Sequence, residues 1–113
     1  AADALHLSSE LLNRYVMDRP PLAAIALNAD VSALTSIAND FAYEFTFSKQ
    51  VDALGRANDI LLVLTTSGNS RNIIRAIDSA HQQQMTVIAL SGKSGGELPN
   101  ALRSADIELR VPN

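Results

Sequence analysis

Three short apolar runs, separated by helical segments, constrain the fold of this chain more than any other feature of its sequence. The runs are LAAIAL at residues 22–27, ILLVL at 60–64 and MTVIAL at 85–90. Runs of this length are typical of buried strands, and apolar residues recur at helical spacing in the segments between them. Strands that alternate with helices form parallel βαβ units with right-handed crossovers. The sequence therefore predicts an α/β fold, a three-layer αβα sandwich around a parallel sheet.

Helix stop signals and one alternating segment define the remaining predicted elements. Consecutive prolines end the first helix, and Gly55 is a C-terminal cap. His81, within HQQQ, is predicted to lie at a solvated helix end. We predict helices at residues 1–17, 32–38, 41–54 and about 71–83, at most a short helix in 98–105, and an edge or half-buried strand at 106–111.

Length and composition limit the classes of function. The chain has 113 residues, enough for one small domain over residues 1–113. A net charge of −3 without a basic run argues against nucleic acid and anionic membranes as partners. There is no cysteine, no run long enough to cross a membrane and no visible secretory signal. We expect a soluble, cytoplasmic protein, and because the chain starts without Met we expect it to be an excerpt from a longer one.

Hydroxyl side chains directly follow the second apolar run. TTSGNS at residues 65–70 lies between the predicted strand and a predicted helix. Ligands of open parallel sheets bind beyond the carboxyl ends of the strands, and a helix N-terminus favours an anion. Gly68 permits close approach of the backbone. The pattern indicates a site for the phosphate of a small molecule, and it lacks the GxxxxGK[ST] spacing of a nucleotide P-loop. The hydroxyl donors are those of Thr65, Thr66, Ser67 and Ser70.

Two structural alternatives stay open at the predicted strand ends. Ser67 or Asn69 could simply cap the following helix, because both residue types are common N-caps. A second glycine- and serine-rich segment, SGKSGG at 91–96, is another candidate anion site, but an ordinary turn is the simpler interpretation.

The first helix carries a candidate acid–base or metal-binding pair. His6 and Glu10 are four residues apart, so they project from one face of the helix. An imidazole and a carboxylate at this spacing can transfer protons or hold a divalent metal. Two ligands do not define a metal site, however, and such a pair is also typical of a solvated surface. Asn39 and Asp40 are predicted to lie in a break between helices, either as a turn or as ligands for sugar hydroxyls.

The chain resembles the sugar isomerase (SIS) domain family. LLVLTTSGNSRNIIRAI, at 61–77, is similar to the signature in which a strand-end Ser/Thr loop binds a sugar phosphate. Within that family, the bacterial phosphoheptose isomerases are the most similar group. The resemblance covers essentially the whole chain and implies a flavodoxin-like parallel sheet. The segments that carry it are HLSSELLNRY, SIANDFAYEFTFSKQVDALG, LSGKSGGEL and ADIELRVP.

The resemblance implies an enzyme that interconverts sedoheptulose 7-phosphate and D-glycero-D-manno-heptose 7-phosphate for the heptose of the lipopolysaccharide core. It also implies a homotetramer, a sugar-phosphate substrate and a zinc ion. His6 and Glu10 match metal ligands of the family, and Glu10 also matches its catalytic base. The substrate-binding positions of the family match Asn39, Asp40, Thr65, Thr66, Ser67, Ser70 and the basic Arg14.

The resemblance further implies segments that this chain does not contain. They are an N-terminal helical segment with the first strand, and a C-terminal helix with the remaining metal ligands and the second acid–base group. Two other SIS-fold classes are alternatives: a protein that associates with the replication initiator, and a regulatory module that senses sugar phosphates. In the initiator-associating class an arginine takes the place of Ser67 and the equivalent of Glu10 is missing, so both residues favour the isomerase. Regulatory modules usually accompany a DNA-binding or catalytic domain, and none is visible in this sequence.

Overall fold

The computed structural model describes residues 1–112. They form two compact units, Ala1–Val31 and the part that begins at Ser32, and the single domain over 1–113 stays a prediction. No helix within these residues is long and apolar enough to cross a membrane. The elements are α1 (Ala2–Leu12), α2 (Val31–Asp40), a 3₁₀ helix (Tyr43–Phe45), α3 (Ser48–Leu54), β1 (Ile60–Leu64), α4 (Arg71–Gln82), β2 (Thr86–Gly92), α5 (Leu98–Ala101) and β3 (Ile107–Val111).

The three strands form one parallel sheet in the order β1–β2–β3. Alternate side chains of β1 and β2 are buried, and α4 packs against both strands while α3 packs against α4. The core of this unit therefore lies between α4 and the sheet, with Val63, Ile77 and Val87 among its largest fully buried side chains. The predicted α/β class and parallel sheet are confirmed, as are the final strand and the short helix before it.

The first helix ends at Leu12, well before the predicted end at residue 17. The guanidinium of Arg19 donates hydrogen bonds to the backbone oxygens of Leu11 (2.9 Å) and Glu10 (2.7 Å). The N–H of Leu22 donates to the same Leu11 oxygen (3.0 Å). The chain thus turns back along α1, and these donors satisfy carbonyls that a helix leaves unpaired at its C-terminal end.

The predicted strand at residues 22–27 is wrong. No strand ladder of residues 1–112 includes this run. Its first N–H bonds to α1, the oxygen of Ala26 accepts the N–H of Ala29 in a turn (3.1 Å), and Ile25 is 67% exposed. Apolar composition alone does not form a strand where no neighbouring strand completes the backbone hydrogen bonds.

The predicted helix at 41–54 is divided into the 3₁₀ helix and α3. Ala42 is extended (φ −167°, ψ 158°), and the hydroxyl of Thr46 donates to the oxygen of Tyr43 (2.8 Å), a local bond that competes with continuous helix. Gly55 is the C-cap of α3 as predicted, although its φ of −69° is not left-handed. The preceding helix α2 runs through Asp40, so the predicted break at Asn39 and Asp40 is wrong: both lie in its last turn.

His81, predicted to be solvated, is buried. Its Nε2 lies 2.6 Å from Oδ2 of Asp106, and the two side chains are only 5% and 2% exposed. The same carboxylate accepts the N–H groups of Val87 and Arg103, each at 2.8 Å. Asp106 therefore ties the end of α4 to the start of β2 and to the turn before β3.

Candidate functional site

The carboxyl ends of β1 and β2 bring two loops together at one edge of the sheet. The oxygen of Leu90 accepts the N–H of Thr65 (3.0 Å), and the oxygen of Thr66 accepts the N–H of Gly92 (3.1 Å). Residues 65–70, here called the hydroxyl loop, therefore lie beside residues 91–97, here called the glycine loop. This position beyond parallel strand ends is where ligands of open α/β sheets bind.

Two hydroxyls of the hydroxyl loop organise its backbone. Oγ1 of Thr65 accepts the N–H of Gly68 (3.2 Å), and Oγ of Ser67 accepts the N–H of Asn69 (3.2 Å). A hydroxyl that accepts a hydrogen bond keeps its own hydrogen for donation. Thr65 and Ser67 can thus shape the loop and still donate to an anion.

The start of α4 leaves several donors without protein partners. Its N-cap is Ser70, and no side chain caps the helix. Neither Ser67 nor Asn69 therefore acts as the cap that the sequence left open. Within residues 1–112 the N–H groups of Ser70, Arg71 and Asn72 make no hydrogen bond to protein, and neither do the hydroxyls of Thr66 and Ser70. These donors meet the requirement for holding an anion with neutral dipoles.

The arginine side chains at the start of α4 are paired with a carboxylate. Glu44 accepts hydrogen bonds from Nε of Arg75 (2.5 Å) and Nε of Arg71 (3.2 Å). The hydrogen bonds from Arg75 and then Arg71 hold the pKa of Glu44 below its usual value. The Arg75 guanidinium also lies 4.5 Å from the centroid of the Phe45 ring. Arg71, the cation next to the hydroxyl loop in sequence, therefore already has an acidic partner.

The pair on α1 forms as the spacing predicts. Nε2 of His6 lies 3.0 Å from Oε1 of Glu10, with the imidazole 75% and the carboxylate 33% exposed. The backbone oxygen of Glu10 is held by Arg19, so the position of this residue on the helix is supported. Arg14 does not join the pair, because it forms an ion pair with Asp18 (3.3 Å).

The His6–Glu10 pair offers two of the four ligands that a zinc ion usually has in proteins. Imidazole nitrogen and carboxylate oxygen are ligand types that zinc accepts, and the two atoms lie close enough to bind one ion. No third His, Cys, Asp or Glu of residues 1–112 completes a group that could hold a metal. The donor set therefore fits two ligands of a zinc site.

Asn39 and Asp40 bond to each other instead of to a distant residue. The amide of Asn39 donates to Oδ1 of Asp40 (3.0 Å), and both residues are exposed at the end of α2. Their polar groups remain accessible, but the structure alone assigns them no ligand.

Sequence reasoning missed the contact between the two loops. The N–H of Glu97 donates both to the oxygen of Gly68 (3.2 Å) and to Oδ1 of Asn69 (3.1 Å). The glycines of SGKSGG were the available signal, since Gly95 and Gly96 have positive φ angles of 81° and 54°. The glycine loop is thus hydrogen-bonded to the hydroxyl loop and is not an independent turn.

The sequence of this chain is similar to that of known protein families and proteins. The SIS domain family matches residues 1–92. The phosphoheptose isomerases of Shewanella denitrificans and Alkalilimnicola ehrlichii are 54% and 57% identical to this chain over all 113 residues. In both cases the chain spans 58% of the relative's length.

Solved structures with the same fold carry the same name. A phosphoheptose isomerase from Francisella tularensis matches with a TM-score of 0.93 and 50% identity, covering the whole of this chain and 61% of the other. The phosphoheptose isomerase from Neisseria gonorrhoeae matches with a TM-score of 0.91 and 48% identity, covering 99% and 58%.

Proposed function

Because the chain belongs to the SIS domain family, we propose that it is part of a phosphoheptose isomerase. The proposed reaction interconverts sedoheptulose 7-phosphate and D-glycero-D-manno-heptose 7-phosphate for lipopolysaccharide core heptose. The observation that carries the proposal is the hydroxyl loop, with its unpartnered donors at the start of α4. Relatives of this name, similar over the whole chain, support the same reaction. A cytoplasmic location, with no nucleic-acid or membrane partner, belongs to this proposal.

The hydroxyl loop would bind the phosphate of the open-chain sugar. Hydroxyls and helix-start N–H groups donate to the phosphate oxygens, and Arg71 stays with Glu44. The set of donors would be the hydroxyls of Thr65, Thr66, Ser67 and Ser70, while Asn39, Asp40 and Arg14 would contact the rest of the sugar.

Glu10 would act as the catalytic base. Its carboxylate takes the proton from the carbon next to the carbonyl, the electrons of that C–H bond form the enediol double bond, and the carbonyl oxygen gains a proton. Return of the proton to the neighbouring carbon gives the other isomer. The group that moves the proton between the oxygens would come from the part of the protein that this chain does not span.

We propose His6 and Glu10 as two ligands of a zinc ion, on the basis of their 3.0 Å separation. A bound zinc ion would polarise the substrate oxygens. When no ion is bound, His6 orients the Glu10 carboxylate through the contact between Nε2 and Oε1, and a bound ion would take the place of this contact. The remaining ligands would lie outside this chain.

A direct assay tests the isomerase. We expect the full-length protein to convert sedoheptulose 7-phosphate into the aldose, and we expect a chelator of zinc to lower the rate. Product analysis by chromatography provides the measurement, with fructose 6-phosphate as a control for sugar specificity. Tight binding of the sugar phosphate without turnover would instead favour the regulatory module, and the isomerase would be rejected.

The helix α1 supports a homotetramer as part of the same proposal. None of its residues is buried, although Leu5, Leu7 and Leu12 are apolar and 40–49% exposed. Burying such side chains between subunits removes apolar surface from water. Light scattering of the full-length protein should give a mass four times that of one full-length subunit. An active monomer would contradict this assembly.

Replacing Ser67 by alanine should weaken phosphate binding more than stability. The change removes a donor to a charged group, an interaction of about 1.5–3 kcal/mol, which corresponds to roughly 10- to 150-fold in affinity. Loss of the bond from the Asn69 N–H should cost only about 0.5–1.5 kcal/mol of folding free energy. Sugar-phosphate titration and thermal unfolding of the same variant give the two values. Unchanged affinity with a lowered melting temperature would limit Ser67 to a structural role.

A further inference from the structure

The side chain of Asn69 joins the hydroxyl loop to the glycine loop. Oδ1 of Asn69 accepts the N–H of Glu97 at 3.1 Å, and the backbone N–H of Asn69 donates to Oγ of Ser67 at 3.2 Å. The residue is exposed and does not cap α4. Asn69 therefore connects a hydroxyl of the proposed phosphate site with a backbone group of the neighbouring loop.

Glycines allow this contact to be close. A side chain at Gly96 would overlap Oδ1 of Asn69 and the oxygen of Ser67, and one at Gly68 would overlap the oxygen of Gly95. Gly68 also has φ +71°, which a side chain would strain. The two loops thus occupy space that side chains would otherwise take, and the Asn69 amide lies directly against Gly96.

The glycine loop is itself held by β2 and β3. A Cβ at Gly95 would lie 2.6 Å from the guanidinium of Arg110, which donates to both oxygens of Glu108 (2.9 and 2.8 Å). Ser91 donates to the same carboxylate (2.7 Å). Hydrogen bonds from Arg110 and then Ser91 keep the pKa of Glu108 low. The glycine loop therefore offers a supported surface against which a second loop can be fixed.

We propose that Asn69 is a positioning residue for phosphate binding, an inference that rests on the proposed function. It fixes residues 67–70 against the glycine loop, so that the Ser67 hydroxyl and the first N–H groups of α4 are already placed when the phosphate arrives. Donors fixed in advance bind more tightly because less ordering is needed on binding. Asn69 itself makes no contact with substrate in this account.

The test compares Asn69→Ala with Asn100→Ala in the full-length protein. Asn100 is the matched control, since its side-chain amide reaches the Glu97 carboxylate at 3.5 Å, whereas the bond from its backbone N–H to the Glu97 oxygen survives the change to alanine. We expect Asn69→Ala to raise the Kd for sedoheptulose 7-phosphate and for inorganic phosphate about 2- to 12-fold, the range of one lost neutral hydrogen bond. The kcat at saturating substrate should stay within about twofold, and Asn100→Ala should match the wild type.

Amide hydrogen exchange at Glu97 provides a readout that general destabilisation would not reproduce. Phosphate should slow this exchange in the wild type and lose most of that effect in Asn69→Ala, because the variant keeps only the bond to the Gly68 oxygen and loses the one to Oδ1 of Asn69. Wild-type affinity and an unchanged exchange response in Asn69→Ala would overturn the role of Asn69 and leave the isomerase standing.

The two proposals fail in different ways. If the wild type does not isomerise sedoheptulose 7-phosphate but binds inorganic phosphate, and Asn69→Ala weakens that binding, the isomerase fails and the positioning role holds. If the wild type binds neither compound, both are overturned.

Discussion

Replacing Glu10 by glutamine in the full-length protein should lower kcat by about 10²- to 10⁴-fold, the usual contribution of a positioned base. Glutamine keeps the length of the side chain and can still hydrogen-bond His6, but it cannot take a proton at neutral pH. The residue is partly exposed on α1 and its backbone oxygen is held by Arg19. The fold should therefore survive the change, and phosphate binding should stay close to that of the wild type.

The measurement is steady-state turnover of sedoheptulose 7-phosphate, with inorganic phosphate titration and thermal unfolding on the same samples. Asp3→Asn is the matched control, because it also removes one carboxylate from the exposed surface of α1. Asp3→Asn should leave kcat unchanged. Near wild-type turnover in Glu10→Gln would show that another group is the base.

Replacing Asp106 by asparagine should destabilise the protein by about 3 kcal/mol, the upper end for hydrogen bonds to a charged group, because a buried carboxylate that accepts several of them is lost. The carboxylate accepts His81 and the N–H groups of Val87 and Arg103, and both side chains of the pair are almost completely buried. An asparagine amide has the same shape, but its NH₂ group cannot accept a hydrogen bond. At least one of the N–H groups that the two carboxylate oxygens now accept would therefore face another donor. A loss of this size is a large part of the stability of a small domain.

Urea unfolding at neutral pH measures the difference, with Asp78→Asn as the control. Asp78 is exposed on the same helix as His81, and within residues 1–112 its carboxylate accepts a hydrogen bond only from the Gln82 amide (3.3 Å). The loss of stability in Asp78→Asn should therefore be small. Equal stabilities of Asp106→Asn and the wild type would contradict the role of the buried pair.

The same pair has a predicted pH dependence. Burial alone would raise the pKa of Asp106, but the N–H groups of Arg103 and Val87 and the His81 imidazole outweigh it, so the pKa lies below its usual value. A lowered folded-state pKa adds stability above the ordinary aspartate pKa of about 3.9, and that stability is lost as the pH falls through the folded value. The difference in free energy of unfolding between the wild type and Asp106→Asn should therefore become smaller as the pH falls into the acid range.

Local patterns predicted those parts of the structure whose contacts are close in sequence. The run at 60–64 is a strand and is followed by the hydroxyl loop and a helix, because apolar residues, turn residues and helical spacing occur there in order. The pair His6 and Glu10 follows from helix geometry alone. Each of these features depends on neighbours within a few residues.

The failures concern residues whose state is set by distant partners. His81 is buried because Asp106, 25 residues later, accepts its hydrogen bond. The run at 22–27 is apolar enough for a strand, but no strand of residues 1–112 pairs with it. The sequence makes Asn69 a possible cap, whereas its side chain accepts a hydrogen bond from Glu97, 28 residues away. A single sequence carries no local signal for such pairings.

The contacts among Gly68, Gly95 and Gly96 limit how this chain can vary. A Cβ at Gly68 or Gly96 would strike the other loop, and one at Gly95 would strike the Arg110 guanidinium, so a substitution at Gly68 or Gly96 cannot be accommodated unless the other loop moves. An insertion in either loop would meet the same obstacle. Protein engineers who wish to reshape this edge of the sheet for a different ligand would have to redesign both loops together, and single-site libraries would sample few folded solutions there.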